Sequence, residues 1–184
     1  NINHFKSYGF DFQSVNKKIN IKCKKNEILL HNGKIHSFGE DLLNNNILVF
    51  NINDAIKNNQ NNIKKLFNKI FRNNQDDYLK KNTKSWDTGF FLYLPKNLNQ
   101  TIFIENIIDQ GDEKNFSNSR NFIHIDKNAN CKIIYKEKSS LSSCINSASE
   151  IYIDNNAKLE LIKITAKKKD SKVTKKTITK ETVK

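Results

Sequence analysis

The chain has 184 residues and a mass of 21.4 kDa, a length that suits one domain with room for a substantial core. Hydrophobic residues make up only 36% of it, but twelve Phe and five Tyr supply core-forming side chains that disordered chains lack. No apolar run approaches the ~18 residues of a membrane-spanning helix, and no signal-type segment opens the chain. The composition therefore predicts a folded chain and excludes an integral membrane helix.

The net charge is +13 and the pI is near 9.6, values that ordinarily suggest a nucleic acid or an anionic membrane as partner. Only Arg72 and Arg120 are arginines, so 30 of the 32 basic residues are Lys. Lys, Asn and Ile rise together in AT-rich coding DNA, whereas a phosphate-binding surface more often keeps Arg. We therefore predict no nucleic-acid partner and no membrane partner, and keep a basic nucleic-acid or membrane-surface binder as an alternative.

The three cysteines, Cys23, Cys131 and Cys144, are odd in number and far apart, without CxxC spacing. This pattern indicates free thiols in a reducing, cytoplasmic compartment. Because the sequence contains no Met, an upstream targeting segment and an organellar location, such as the plastid, stay open.

The first structural signal is an Asn-Gly pair, Asn32 and Gly33, between two apolar stretches. This pair tolerates the positive φ angles of a two-residue turn, so we predict a β-hairpin over residues 27–37. A short apolar strand follows at residues 47–50.

Two helices are predicted next. Asn53 or Asp54 caps a helical region that runs to residue 72. Its apolar residues recur at helical spacing and form a stripe expected to pack on a sheet: Ile56, Ile63, Leu66, Phe67, Ile70 and Phe71. Asp76 and Asp77, placed before three lysines, predict a second, short helix.

From Gly89 onward the apolar period changes from helical to two, which predicts strands. These strands lie at residues 91–94, 101–104, 121–125, 131–135, 150–153 and 159–164. Residues 123–129 recur 28 residues later as 151–157, and a fainter copy stands at 92–98. Stacked strand-and-turn units of this period predict a mainly β chain with a right-handed parallel β-helix (solenoid) core.

The chain divides into three predicted parts. Residues 1–86 form an N-terminal hairpin and helical region, residues 87–165 form a partial β-helix core, and residues 166–184 form a basic tail. Residues 163–184 hold nine Lys against Asp170 and Glu181 and contain no aromatic residue. This composition predicts a disordered tail.

Several segments resemble the SufB/SufD family of scaffold subunits for iron–sulfur cluster assembly. Residues 87–97 (DTGFFLYLPKN) are similar to the family's "D-G-x-F-x-Y-V-P-K-G" strand and turn, and residues 49–79 are similar to the helices before it. Residues 120–125 resemble the "R-x-x-I-x-x-x-x-G-A" strand, and residues 147–153 the "H-x-A-x-x-E-I" strand. The matches follow the family's order over residues 27–165.

Two features are more typical of the SufD branch. The hairpin at residues 28–35 is similar to a "V-x-V-D-G-x-x-V" hairpin that precedes the helices in SufD, and residues 136–144 lack the "E-G-C-T-A-P" sequence of SufB. Asn97 and Asn128 depart from the family pattern, because they stand where turn glycines are usual. Asn is the next best residue for left-handed backbone.

The resemblance implies a non-catalytic scaffold that corresponds to the amino-terminal half of the family's chain. It implies a heterodimer with a SufB-like paralogue through the β-helix, and docking of a SufC-like ABC ATPase through carboxy-terminal helices. The iron–sulfur cluster would be transient at the level of the complex, with no cofactor held by this chain. The family's cluster-related Cys and His lie farther toward the carboxy terminus, so no residue here takes on that role.

Two acids in the repeats are candidate site residues. Asp126 and Asp154 occupy equivalent turns, and stacked acids at such positions serve acid/base chemistry or calcium binding in some β-helix hydrolases and lyases. They are more typical of Asx-type turn residues that begin each corner. The equivalent position in the first copy is Pro95, so the row of acids does not continue to a third repeat. A carbohydrate-active β-helix enzyme, which would need such a row, is kept as an alternative.

The remaining candidates are thiols and histidines. Cys23, His31 and His36 are soft-metal donors that lack a fourth ligand. Cys131 lies in a predicted strand, where alternation favours a buried structural thiol over a cluster ligand. The sequence contains no phosphate loop, nucleophile elbow or HExxH motif. We therefore predict that the protein is not an enzyme and assign no catalytic or cofactor-binding residue, leaving a metal site undecided.

Overall fold

The computed structural model describes residues 23–58, 60, 63–71, 76–108, 116–139, 144–169 and 172–183. Over these ranges the chain is mainly β, with few short helices. The ten strands are β1 (Glu27–His31), β2 (Lys34–Phe38), β3 (Leu48–Asn51), β4 (Phe90–Leu94), β5 (Asn99–Ile108), β6 (Phe116–Ile125), β7 (Asn130–Ser139), β8 (Cys144–Ile153), β9 (Lys158–Lys169) and β10 (Lys172–Val183). The helices are α1 (Glu40–Asn44), α2 (Ile52–Lys57), α3 (Ile63–Leu66) and α4 (Asp77–Ser85).

The strands form two sheets with mixed pairing. The large sheet has the order β10-β9-β7-β5-β1-β2, and the small sheet has the order β3-β4-β6-β8. From β4 to β9 the chain alternates between the sheets, and each strand from β4 to β7 pairs in parallel with the strand two further along. The pairs β1–β2, β3–β4 and β9–β10 are antiparallel.

The predicted repeat is the physical basis of the parallel pairing. Ile123 lies opposite Ile151 in neighbouring strands, and Leu92 lies opposite Ile123. The turns after these strands have left-handed backbone at equivalent positions, with φ angles of 62° at Asn97, 59° at Asn128 and 59° at Asn156. Asn97 and Asn128 therefore have the left-handed backbone for which Asn is the best residue after glycine.

The core lies between the two sheets and explains the period of two. Alternate residues of the small sheet, such as Phe90, Leu92 and Leu94, are buried in the same cluster as Ile102 and Ile104 of the large sheet. The opposite face of the small sheet packs on helices α2 and α3 through Phe91 and Phe122. The small sheet is thus covered on both faces at β4, and the sequence of this strand, FFLYL, is apolar or aromatic at every position.

The hairpin prediction is confirmed. Strands β1 and β2 pair antiparallel, and the turn residues Asn32 and Gly33 have φ angles of 51° and 80°. Both angles are positive, as the two-residue turn requires.

The helical region differs from the prediction. In place of one helix from Asn53 or Asp54, the described residues of this region form two short helices, and the residue before α2 is Asn51, whose side chain makes no capping hydrogen bond. Asn68 follows with a left-handed φ of 64°, which an α-helix cannot accommodate. The second helix is confirmed: Asp76 accepts a hydrogen bond from the Leu79 backbone N–H at 2.8 Å.

The apolar stripe packs on the small sheet as expected for Ile56, Ile63, Leu66 and Phe67. Ile70 is an exception, because its side chain is 59% exposed. Helix α1 was not predicted, because its five residues are too few to show a helical period.

The basic segment also differs from the expected disordered tail. The backbone of β9 continues to Lys169 and pairs antiparallel with β10. The β-branched residues of this segment, among them Val173, Ile178 and Val183, favour extended backbone despite the surrounding charge. None of the helices in the described part of the chain is long and apolar enough to cross a membrane.

Candidate functional site

Three ring side chains form a column on the small sheet. Tyr93, His124 and Tyr152 lie opposite one another on β4, β6 and β8. The ring centroids of His124 are 5.3 Å from Tyr93 and 5.2 Å from Tyr152, both in edge-to-face arrangements. The two tyrosines therefore hold the imidazole between them.

The turns that end β6 and β8 place two carboxylates beside this column. Asp126 follows His124 by two residues, and Asp154 follows Tyr152 by two, so period-two alternation puts them on the same face. In each turn an Ala N–H donates to the Asp backbone oxygen at 3.1 Å. The repeat thus brings Asp126 and Asp154 together at one edge of the small sheet.

Each carboxylate uses one oxygen for its own turn and turns the other toward the cluster. Asp126 Oδ1 accepts from the Lys127 backbone N–H at 2.7 Å, and Asp154 Oδ1 accepts from that of Asn155 at 3.1 Å. The Tyr93 hydroxyl donates to Asp126 Oδ2 at 2.6 Å. His124 Nε2 lies 3.8 Å from Asp154 Oδ2. We call His124, Asp126 and Asp154 the His–Asp cluster.

The ligand atoms of the His–Asp cluster all lie within 4.8 Å of one another. Burial lowers the pKa of His124, an effect that Asp126 and Asp154 oppose. The pKa of Asp126 is also lowered: its burial would raise it, but the Tyr93 hydroxyl and the Lys127 N–H stabilise the carboxylate. At neutral pH the cluster therefore offers a neutral imidazole and negative carboxylate oxygen.

A second polar group, Arg120 on β6 and Glu150 on β8, is fully buried. The guanidinium Nη2 donates to Glu150 Oε1, and both side chains are at most 1% exposed. Arg120 Nη2 also donates to Asn68 Oδ1 at 2.9 Å, and the Asn68 N–H donates to Glu150 Oε2 at 2.8 Å. This ion pair ties the small sheet to the chain after α3.

Aromatic and amide groups complete the surroundings of Arg120. Its guanidinium lies 4.1 Å from the ring centroid of Phe71 and 5.4 Å from that of Phe67. Asn82 of α4 donates to the backbone oxygens of Ser119 and Asn146. Burial raises the pKa of Glu150 and Arg120 lowers it, burial having the larger effect. The group is structural, because its members contact one another and are closed to solvent.

The other candidates are not brought together. Among the described residues, Cys23, His31 and His36 form no group of close ligand atoms. The Cys23 thiol donates to the Glu27 backbone oxygen at 3.1 Å. Cys131 is 4% exposed, and burial raises the pKa of its thiol to about 12. The side chain of Cys144 lies outside the described part of the structure.

Sequence reasoning selected Asp126 and Asp154 but missed His124 and Tyr93. The signal was present, because His124 and Asp126 form a His-x-Asp pair at the end of a predicted strand. Glu150 was missed as the partner of Arg120, because Arg120 lies opposite Ala148 in the register and the repeat does not show which side chains meet diagonally.

Comparison with known proteins adds no relative. No family model, curated protein or solved structure matches this chain. The residues and their geometry therefore carry the functional inference.

Proposed function

We propose that this chain is a non-catalytic, SufD-like scaffold subunit of iron–sulfur cluster assembly that acts through protein–protein contact. In this proposal the two sheets are the walls of a right-handed parallel β-helix. The alternation of β4 to β9 between the sheets, with parallel pairing at each step, supports this architecture. A SufB-like paralogue and a SufC-like ABC ATPase are the proposed partners.

The observation that carries the proposal concerns two of the family-like segments. Residues 120–125 and 147–153, which resemble separate family motifs, lie on adjacent parallel strands. The charged residue of each motif finds its partner in the other, as Arg120 and Glu150 form the buried ion pair. A buried charge is costly without a partner, so the joint occurrence of both residues has a physical reason within the proposed fold.

The small sheet also has an edge that suits subunit contact. Strand β8 is its last strand, and among the described residues no further strand pairs with it. An edge strand presents backbone N–H and C=O groups that a partner of the same construction can continue. We propose that the SufB-like paralogue contacts this end of the coil.

Co-purification with SufB and SufC from the same source, at moderate salt, tests the proposal. We expect this chain to retain SufB, and full-length SufD serves as the positive control. Failure to retain SufB while full-length SufD does so would contradict the proposal. Because a chain of charge +13 attracts acidic proteins without specificity, the variant K167Q/K168Q/K169Q is the matched control. Specific capture of SufB is expected to survive in that variant.

A further inference from the structure

We propose that the His–Asp cluster binds a divalent first-row transition metal ion, for which Zn²⁺ is the probe. His124 would contribute Nε2, and Asp126 and Asp154 would contribute one carboxylate oxygen each. This site is independent of the proposed scaffold function, since it depends only on the turns that end β6 and β8.

The distances within the cluster are close to those of a metal site. The three ligand atoms lie within 4.8 Å of one another, and His124 Nε2 is 3.8 Å from Asp154 Oδ2. In tetrahedral zinc, with bonds of about 2.0–2.1 Å, neighbouring ligand atoms are about 3.3 Å apart. Small side-chain rotations of the half-buried turn residues Asp126 and Asp154 would therefore close the site around an ion.

The carboxylates are oriented before any ion arrives. Backbone N–H groups of Lys127 and Asn155 hold Oδ1 of Asp126 and Asp154, and Oδ2 of Asp154 lies 3.8 Å from His124 Nε2. The Tyr93 hydroxyl adds a hydrogen bond to Asp126 Oδ2. Hydrogen bonds of this kind are the usual support of metal-binding carboxylates, because they fix the ligand atoms in place.

The donor set selects the class of ion. Imidazole nitrogen with two carboxylates suits zinc and its neighbours, whereas calcium and magnesium prefer oxygen ligands throughout. Two carboxylates that end adjacent strands repel each other, and a divalent cation removes this repulsion. An ion would approach from the Asp154 side, where the side chain is 23% exposed and the flanking Tyr152 is 39% exposed, whereas the His124 side chain is only 9% exposed.

A bound ion would act as a clamp between successive turns. Asp126 and Asp154 lie 28 residues apart in the sequence and belong to neighbouring repeats, so one ion would join them. Three protein ligands leave a fourth position of a tetrahedral ion for water.

Titration of the full chain, stripped with a chelator and without an affinity tag, tests the proposal. We expect calorimetry with ZnCl₂ to give one ion per chain, and Co²⁺ to give the visible absorption of a low-coordinate nitrogen–oxygen site. The variants D154N and D126N are expected to weaken zinc binding at least tenfold. Asn keeps a side-chain oxygen for the turn N–H, so both variants are expected to fold, as circular dichroism will show. H124Q, which removes the imidazole ligand, is the third variant that is expected to weaken zinc binding.

Two matched controls define the outcome that overturns the proposal. D77N changes an exposed Asp of helix α4, and H36Q changes a histidine of β2; both are expected to bind zinc like the unmodified chain. The proposal is wrong if the unmodified chain binds no zinc more tightly than D154N does. It is equally wrong if H36Q loses the binding and folded D154N keeps it, because the ion would then lie elsewhere.

Discussion

Arg120 and Glu150 form an ion pair across two neighbouring parallel strands, with both side chains removed from solvent. The pair also reaches Asn68, which follows helix α3. It therefore joins the sheet to the helical region by charge as well as by apolar packing.

Loss of one partner of this pair is expected to destabilise the fold strongly. In E150Q the guanidinium of Arg120 stays buried without its counter-charge, and such losses cost about 3–5 kcal/mol. Urea denaturation measures the change. The matched control is E160Q, which alters the half-buried partner of Lys132 and is expected to cost about 0–1 kcal/mol. Equal losses in the two variants would contradict the prediction.

The left-handed turn residue Asn156 offers a second test. Its φ of 59° is a left-handed conformation that Asn tolerates and Ala does not, so N156A is expected to lose about 1–2 kcal/mol. N156G is expected to be at least as stable as the unmodified chain, because glycine adopts this conformation without strain. Thermal unfolding distinguishes the two. N155A, a change at the neighbouring exposed residue whose φ is not positive, controls for loss of an Asn side chain.

The close approach of Gly89 to β6 gives a third prediction. Its φ is 134°, and an added Cβ would lie 1.9 Å from the backbone oxygen of Arg120. Because backbone is the obstacle, G89A is expected to prevent stable pairing of β4 with β6 and to lower soluble yield. K96A, an exposed change in the following turn, is expected to stay within about 0.5 kcal/mol. Folded, fully stable G89A would show that the two strands are farther apart.

Differential alkylation tests the burial of Cys131. The side chain is 4% exposed, and the thiolate is the reactive form, so native Cys131 is expected to resist iodoacetamide. Cys23, which is only partly buried, is expected to react faster. Mass spectrometry of the labelled peptides compares the two sites, and labelling in urea, where both react, is the control.

The same thiol predicts a loss of stability at alkaline pH. Burial raises the pKa of Cys131 from 9.0 to about 12, so the unfolded chain releases this proton first as the pH rises. The stabilisation that the protonated Cys131 thiol contributes to the free energy of unfolding is fully present below pH 9. It is lost between pH 9 and about 12, by about 1.4 kcal/mol per pH unit. Urea unfolding from pH 8 to 10.5 measures the slope. In C131A the slope is expected to be smaller by that amount, and an unchanged slope would contradict the prediction.

The sequence by itself determined the local elements of this protein. Asn32 and Gly33 specify a hairpin, Asp76 starts a helix, and the repeat predicts which strands lie side by side. These features depend on neighbours in the chain or on a regular spacing, and both are visible in the order of residues. The same repeat indicated Asp126 and Asp154 as equivalent turn residues.

Only the tertiary structure decided which polar side chains meet. Arg120 pairs with Glu150, and His124 with the turn carboxylates, because parallel strands in register bring together residues about 30 positions apart. It also placed one face of the small sheet against the large sheet and the other against two short helices. Burial on both faces depends on packing between distant segments, and a one-dimensional pattern does not record which segments pack together.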